Sequence, residues 1–312
     1  MTTQPMEPTL ALYTHPGKRY FAATRPAFIS ATLVAAIIGL SVIHHEGVAI
    51  DFIVALVTLF FALVTHAGVN VLNDYYDALS GTDGRNTERI YPFTGGSRFI
   101  QNGVLTLAQT RNFGYTLLAS VVIAGLWLMA HSAPQLLYIG LLGLFIGWAY
   151  SAPPLKLVSR GWGELCVASG ILLITVGADF VLRKSFSFAP VIAGMPYALL
   201  ATNLLYINQF PDRKADTAAG KLHWVARLEV RQARWGYVLF AVAAYLWVAV
   251  AVALRALPQL ALVSLLAAPF SVMATLHLFR YAHQPQQLAG AIKLTILAML
   301  LHGALMSAVF IL

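Results

Sequence analysis

Apolar runs of about twenty residues alternate with short polar joints along nearly the whole chain. A helix needs about 20 mostly apolar residues to cross a bilayer. Nine stretches meet that length or approach it: 26–44, 51–72, 113–131, 134–150, 163–182, 189–208, 235–254, 257–279 and 289–311. Pro134, Pro153, Pro154, Pro190, Pro258 and Pro285 fall at the joints, where a residue lacking an N–H ends or begins a helix at little cost. The pattern predicts an all-α membrane protein, a bundle of about nine transmembrane helices. It forms one domain over residues 1–312. Residues 1–18, polar and holding Pro5, Pro8 and Pro16, are expected to be a flexible N-terminal tail.

Composition agrees with that pattern. Of the 312 residues, 59% are hydrophobic and 10% charged, against about 25% charged in soluble domains. Water-soluble classes are thereby excluded. Cys166 is the lone cysteine, which rules out a disulfide framework and a cysteine metal site. The first residues show no basic stretch followed by a short apolar core and a small-residue cleavage site, so no signal peptide is expected.

The net charge of +8 is unevenly placed. With the N-terminus on one face, 17 of the 20 basic residues fall on that face, leaving Arg183, Lys184 and Arg255 on the other. Basic loops stay cytoplasmic, so the N-terminus and the long loops 73–112, 151–162 and 209–234 are expected in the cytoplasm, across an inner membrane if the source is bacterial. The charge therefore sets topology, and no nucleic-acid partner is expected.

Five of the seven aspartates sit in two loops of the basic face. The first group is NVLNDYYD (70–77), in which Asn70, Asp74 and Asp77 are spaced i, i+4, i+7 and share one side of a helix. Asp83 follows in SGTDGRN, read equally as a turn residue or a metal-site participant. The second group, NQFPDRKAD, places Asn208, Asp212 and Asp216 at i, i+4, i+8. Each group opens with an Asn four residues before its first Asp, at the same end of a predicted span. The chain thus holds a weak internal repeat of span plus acidic loop, which sets two carboxylate clusters face to face across a cavity. Hard oxygen ligands in this number suit Mg²⁺, which takes one or two carboxylates plus substrate phosphates. Helix capping and turn formation are the structural alternative for each group taken alone.

A diphosphate also needs cations. YSAPPLKLVSRGWGE (150–164) offers Lys156 and Arg160, TGGSR (94–98) ends in Arg98, and DTAAGK ends in Lys221. Setting topology and touching lipid headgroups is the alternative role for each. Tyr150 is either part of an interfacial aromatic belt or a ring that faces the cavity and stabilises a cation. Glu164 reads as a first-turn carboxylate favoured by the helix dipole, and Asp179 with Arg183 as a local ion pair. His66 and His302 read as packed histidines.

NDYYDALSGTDGRN followed by NQFPDRKADTAAGK resembles the paired acidic motifs of the UbiA-type intramembrane prenyltransferase superfamily. YSAPPLKLVSRGWGE is similar to the loop of its 1,4-dihydroxy-2-naphthoate prenyltransferase branch. The resemblance implies a nine-helix bundle around a central cavity, with a cytoplasmic cap of loops and short helices carrying the two motifs. It implies metal ligation by Asn70, Asp74, Asp77, Asp212 and Asp216, with two Mg²⁺ ions holding an isoprenyl diphosphate. Asn208, Arg98, Arg160 and Lys221 would bind the diphosphate beside Asn70, and Lys156 and Tyr150 would join the catalytic set. The implied reaction is transfer of a polyprenyl group to an aromatic acceptor through an allylic carbocation, best matched to 1,4-dihydroxy-2-naphthoate and quinone biosynthesis. The other acceptors are 4-hydroxybenzoate and homogentisate. Leu222-His223-Trp224 departs from the basic-Thr-Leu run common in relatives. From other classes, a cation-coupled transporter would place its acidic sites near the bilayer midplane, and a phosphoalcohol transferase would carry a single dense acidic run.

Overall fold

The computed structural model describes residues 6–312. Among these the regular elements are all helical, in the order α1 Pro16–Ala23, α2 Pro26–His45, α3 Phe52–Ser80, α4 Thr82–Arg85, α5 Leu107–His131, α6 Leu136–Ser151, α7 Gly163–Arg183, α8 Ala189–Ala218, α9 Trp224–Arg227, α10 Val230–Ala253, α11 Ala268–Tyr281 and α12 Ala289–Ile311. Short 3₁₀ segments join α6 to α7 (Leu157–Arg160), lead into α11 (Gln259–Ala267) and lead into α12 (Pro285–Leu288). Counted with those leads, eight helices among the described residues are long and apolar enough to cross a membrane. The ninth expected span, 134–150, is the shorter apolar helix α6, 16 residues long.

The two acidic stretches are helical, where the sequence reading ended the second and sixth spans at 72 and 208. A span estimated from hydropathy stops at the first polar residue, but the backbone hydrogen bonds of a helix do not depend on side-chain polarity. So α3 carries NVLNDYYD to Ser80, and α8 runs through Pro211 to Ala218.

The helices pack as α2 on α7, α7 on α8, α8 on α10 and α3 on α5, with α12 against α2 and α8. Between apolar helices in lipid, close packing and side-chain bonds to backbone carbonyls supply the association. A Cβ on Gly39 of α2 would lie 2.2 Å from the Thr175 carbonyl of α7, so the absence of a side chain sets how closely these helices approach. Beside it the Thr175 hydroxyl donates to the Ala35 carbonyl (3.0 Å) and the Tyr197 hydroxyl to the Ala31 carbonyl (2.9 Å). Asn203 and Tyr206 of α8 likewise donate to the Tyr237 and Ala233 carbonyls of α10. The core formed by these partners is buried and mostly aliphatic, with Tyr197 and Tyr237 fully enclosed.

The N-terminal segment is not a free tail in its described part. Glu7 pairs with Arg89 (2.5 Å), Asn102 donates to the Pro8 carbonyl (2.9 Å), and the Tyr13 ring packs on Phe99 at 5.0 Å. Residues 7–13 thus lie over the loop between α4 and α5. At the opposite end of the bundle, Arg183 pairs with Asp179 (2.6 Å) as expected, and also with Glu46.

Candidate active site

A cavity of about 520 Å³ opens between α2, α3, α5, α6, α7 and α8. Its walls change character along its length. Toward the start of α6 it is lined by Met129, Leu136, Leu137 and Val181, and toward the ends of α3 and α8 by Asn70, Asn73, Asp77, Asn208, Asp212 and Asp216. On α3 this follows from helical spacing, because residues 62, 66, 69, 70, 73 and 77 fall on one face and all of them line the cavity.

The two acidic helix ends face each other through a lysine. Helix α8 ends in the turn that a left-handed residue makes possible: Gly220 has φ +75°, its N–H donates to the Thr217 carbonyl (3.1 Å), and the Lys221 N–H donates to the Asp216 carbonyl (2.8 Å). This pairing of bonds is the Schellman motif. The chain therefore doubles back, and the Lys221 ammonium reaches Asp77 Oδ2 at 2.9 Å while lying 3.9 Å from Asp216 Oδ1. Burial alone would lower the Lys221 pKa, but the Asp216 and Asp77 carboxylates more than offset it and push it well above the usual lysine range. A positive charge thus sits between the motifs.

The loop after α3 closes the same mouth. Asn86 donates to Asp212 Oδ1 (2.5 Å), and the Gly95 N–H lies 3.4 Å from Asp212 Oδ2. The Ser97 N–H reaches both oxygens of Asp74 at 3.3 Å. Gly96 has φ +72°, and a Cβ there would stand 2.4 Å from Asp83 Oδ2, so the backbone must pass this carboxylate without a side chain. Burial, together with the Asp77 and Asp74 carboxylates, pushes Asp83 well above the usual carboxylate range. Asp74 itself is buried behind the cavity surface, 4.0 Å from Arg25, whose guanidinium also lies over the Phe28 ring at 4.6 Å.

The sequence candidates divide clearly. Asn70, Asp77, Asn208, Asp212, Asp216, Lys221 and Tyr150 line the cavity, and Asp74 adjoins it. Lys156 and Arg160 do not. Both are exposed, and the Arg160 side chain donates to the Pro154 carbonyl (2.9 Å). Arg98 is buried but turned away: it donates to the Asp83 carbonyl and approaches Glu7 at 3.8 Å, so it braces the loop. Glu164 is buried and accepts from Gln209 (2.8 Å), tying α7 to α8. The sequence gives no site role to Asn73 or Asn86, and marks His223 only as a departure from relatives. Asn73 bridges Asp77 (3.1 Å) and Ser151 (2.8 Å), and His223 Nε2 bonds Asp216 Oδ2 (2.9 Å). The matching i, i+4 spacing of Asn73 and Asp77 was the available signal for the first. His66, expected to be a packed residue, lies on the cavity wall with Nδ1 2.7 Å from the Thr32 hydroxyl.

The donor set fits a divalent cation that also binds a ligand. Asp83 Oδ2, Asn86 Oδ1, Asn208 Oδ1 and Asp216 Oδ1 have no hydrogen-bond partner among the described residues, and all four residues line the cavity. These are hard oxygens of the kind Mg²⁺ takes. No three carboxylates or imidazoles among the described residues converge on one point as a ready-made cage. Mg²⁺ needs no such cage, because it completes its shell with phosphate oxygens and water.

The family model for the UbiA prenyltransferase family matches residues 27–301. The chain belongs to the UbiA prenyltransferase family. It is an enzyme, a membrane-embedded prenyltransferase of UbiA type. This UbiA prenyltransferase is 26% identical over 309 residues to a 2-carboxy-1,4-naphthoquinone phytyltransferase of Synechocystis, covering 98% of this chain and 96% of that one. It is 30% identical over 224 residues to a 1,4-dihydroxy-2-naphthoate octaprenyltransferase of Mycobacterium tuberculosis, covering 70% and 72%. Its fold matches a solved UbiA homologue from Archaeoglobus fulgidus bound to DMAPP and Mg²⁺, with a TM-score of 0.62 at 16% identity, over 93% of this chain and 99% of that one. It also matches the apo UbiA homologue from Aeropyrum pernix K1, with a TM-score of 0.62 at 15% identity over 88% and 96%.

Proposed function

We propose that this protein transfers a polyprenyl group from an isoprenyl diphosphate to an aromatic acceptor, 1,4-dihydroxy-2-naphthoate being the best match, in the biosynthesis of a menaquinone-type quinone. The observation that carries the reading is a single cavity with acids and a lysine at one end and apolar walls at the other. A diphosphate head and a hydrocarbon tail need these two environments joined. Relatives named as naphthoate prenyltransferases and phytyltransferases support the acceptor class. The placement of the carboxylates at one end of the bundle, away from its middle, favours this reading over a cation-coupled transporter.

Asp74, Asp77, Asp212 and Asp216, with Asn70, would hold two Mg²⁺ ions. When bound, these would neutralise the diphosphate and stabilise the charge it gains on leaving. Lys221 adds its fixed charge to the same end. The allylic C–O bond breaks and its electron pair leaves with pyrophosphate. The Tyr150 ring stands on the cavity wall, where an aromatic ring can stabilise the resulting allylic cation. The apolar walls exclude water, which would otherwise capture that cation. A ring carbon of the acceptor then forms the new C–C bond. An acceptor carrying a carboxylate at the attacked carbon loses CO₂; otherwise a proton leaves. By the distribution of basic residues, the N-terminus and the acidic helix ends face the cytoplasm, in the inner membrane of a bacterial source.

The test is to supply purified protein and Mg²⁺ with isoprenyl diphosphates of several lengths and a panel of naphthoates, hydroxybenzoates and homogentisate. Mg²⁺-dependent prenylated naphthoate with release of CO₂ is the expected product. Prenylation of a different acceptor alone would overturn the naphthoate assignment, and no pyrophosphate release with any diphosphate would overturn the whole reading.

A further inference from the structure

We infer that His223 is a positioning residue that fixes the Asp216 carboxylate and so decides which of its oxygens is offered to the cavity. The inference rests on the reading that Asp216 serves the metal-diphosphate site. His223 is 0% exposed and stands at the N-cap of α9, where Nδ1 accepts the Ala226 N–H at 3.1 Å. A ring nitrogen that accepts carries no proton, so the neutral ring holds its proton on Nε2. That N–H points at Asp216 Oδ2, 2.9 Å away.

The backbone thus selects the tautomer, and the tautomer selects the bond to Asp216. Oδ2 is engaged by His223, while Oδ1, 3.9 Å from Lys221, has no hydrogen-bond partner among the described residues. Since the ring is enclosed and bonded at both nitrogens, it cannot rotate without losing one of the two. The Leu222 N–H donates to the Ser159 carbonyl (3.0 Å), and Trp224 Nε1 donates to the Gly161 carbonyl (2.8 Å), so the residues on both sides are anchored as well. Removing a partner that orients a metal-binding side chain typically costs 10–100-fold in metal affinity.

Two substitutions separate positioning from capping. His223→Gln can put an amide N–H near the place of Nε2–H but caps poorly, whereas His223→Asn caps well but is too short to reach Asp216. The full-length protein is purified in detergent, and Mg²⁺ is titrated against it in the presence of inorganic pyrophosphate, with the rise in Tm as the readout. His223→Asn and His223→Ala should need at least tenfold more Mg²⁺ for half the rise, and His223→Gln should return most of the way to wild type. The reverse order, with Asn like wild type and Gln impaired, would reduce His223 to a helix cap. An unchanged midpoint in all three would overturn the inference as well. Asp216→Asn is the control: if it too keeps the wild-type midpoint, the assignment of Asp216 to the metal-diphosphate site fails along with the inference.

Discussion

The Lys221 ammonium and the Asp77 carboxylate meet at 2.9 Å across the cavity mouth, joining residues 144 positions apart in the chain. This contact brings the C-terminal end of α8 to that of α3. It also gives the two acidic helices a shared cation.

Lys221→Gln shortens the side chain by one atom and removes its charge. A hydrogen bond to a charged group is worth about 1.5–3 kcal/mol. The KM for isoprenyl diphosphate should therefore rise by roughly tenfold or more, read in a pyrophosphate-release assay. The ligand-free protein should also melt at lower temperature, because Asp77 and Asp216 lose their neutralising partner.

Asp212→Asn and Asp74→Asn should each lower Mg²⁺-dependent transfer by about a hundredfold or more, since each takes an anionic ligand from the proposed Mg²⁺ site and so weakens neutralisation of the leaving pyrophosphate. Both variants should insert and fold, because the asparagine fits the same space. Turnover close to wild type in both, measured at saturating Mg²⁺, would contradict the assignment of the acidic helix ends.

Lys156→Ala and Arg160→Ala should stay within about twofold of wild-type turnover. Their side chains are exposed and stand outside the cavity, and surface substitutions of this kind have small effects. Steady-state kinetics on the two variants, beside Lys221→Gln, checks the contrast.

Prenyl length is expected to depend on glycines. Gly125 of α5, Gly140 and Gly143 of α6 and Gly170 of α7 all line the cavity, and a Cβ at any of them would meet nothing within 4 Å. Gly143→Phe would fill part of that space. Turnover of geranylgeranyl and longer diphosphates should fall about tenfold or more, while dimethylallyl and geranyl diphosphates should be much less affected. This difference is at the scale by which hydrophobic pockets discriminate.

Acid should release the N-terminal segment. Burial alone would raise the Glu7 pKa, but hydrogen bonds from Arg89 and Asn102 outweigh it and hold it below its ordinary 4.5. A carboxylate depressed in the folded state contributes stability that is present above its unfolded pKa and lost as pH falls through its folded one. Limited proteolysis before residue 16 should therefore accelerate below about pH 4.5. Glu7→Gln should show the faster cleavage already at neutral pH.

The bundle was legible because span length and the placement of basic residues are set by the bilayer, which acts on composition alone. The acidic motifs were legible for a related reason: i, i+4 spacing on one helix leaves a mark that needs no tertiary knowledge. Lys156, Arg160 and Arg98 lie outside the cavity lining, which the sequence does not show, because glycine and proline mark a turn without saying where the neighbouring side chain points. Asn86 and His223 were missed for the complementary reason. Asn86 acquires its role only by meeting Asp212 from 126 residues away, and His223 by being sealed against Asp216 when the chain turns at Gly220. The length of α3 and α8 was underestimated because hydropathy measures where the lipid ends, not where the helix does.

The change in wall character from the start of α6 to the ends of α3 and α8 amounts to a built-in polarity gradient. An amphiphile gains by lying along that gradient in one sense and loses in the other. If the proposed isoprenyl diphosphate is the substrate, the fold orients it on entry, before any side chain has to discriminate, and a molecule loaded backwards would strand its charge in hydrocarbon.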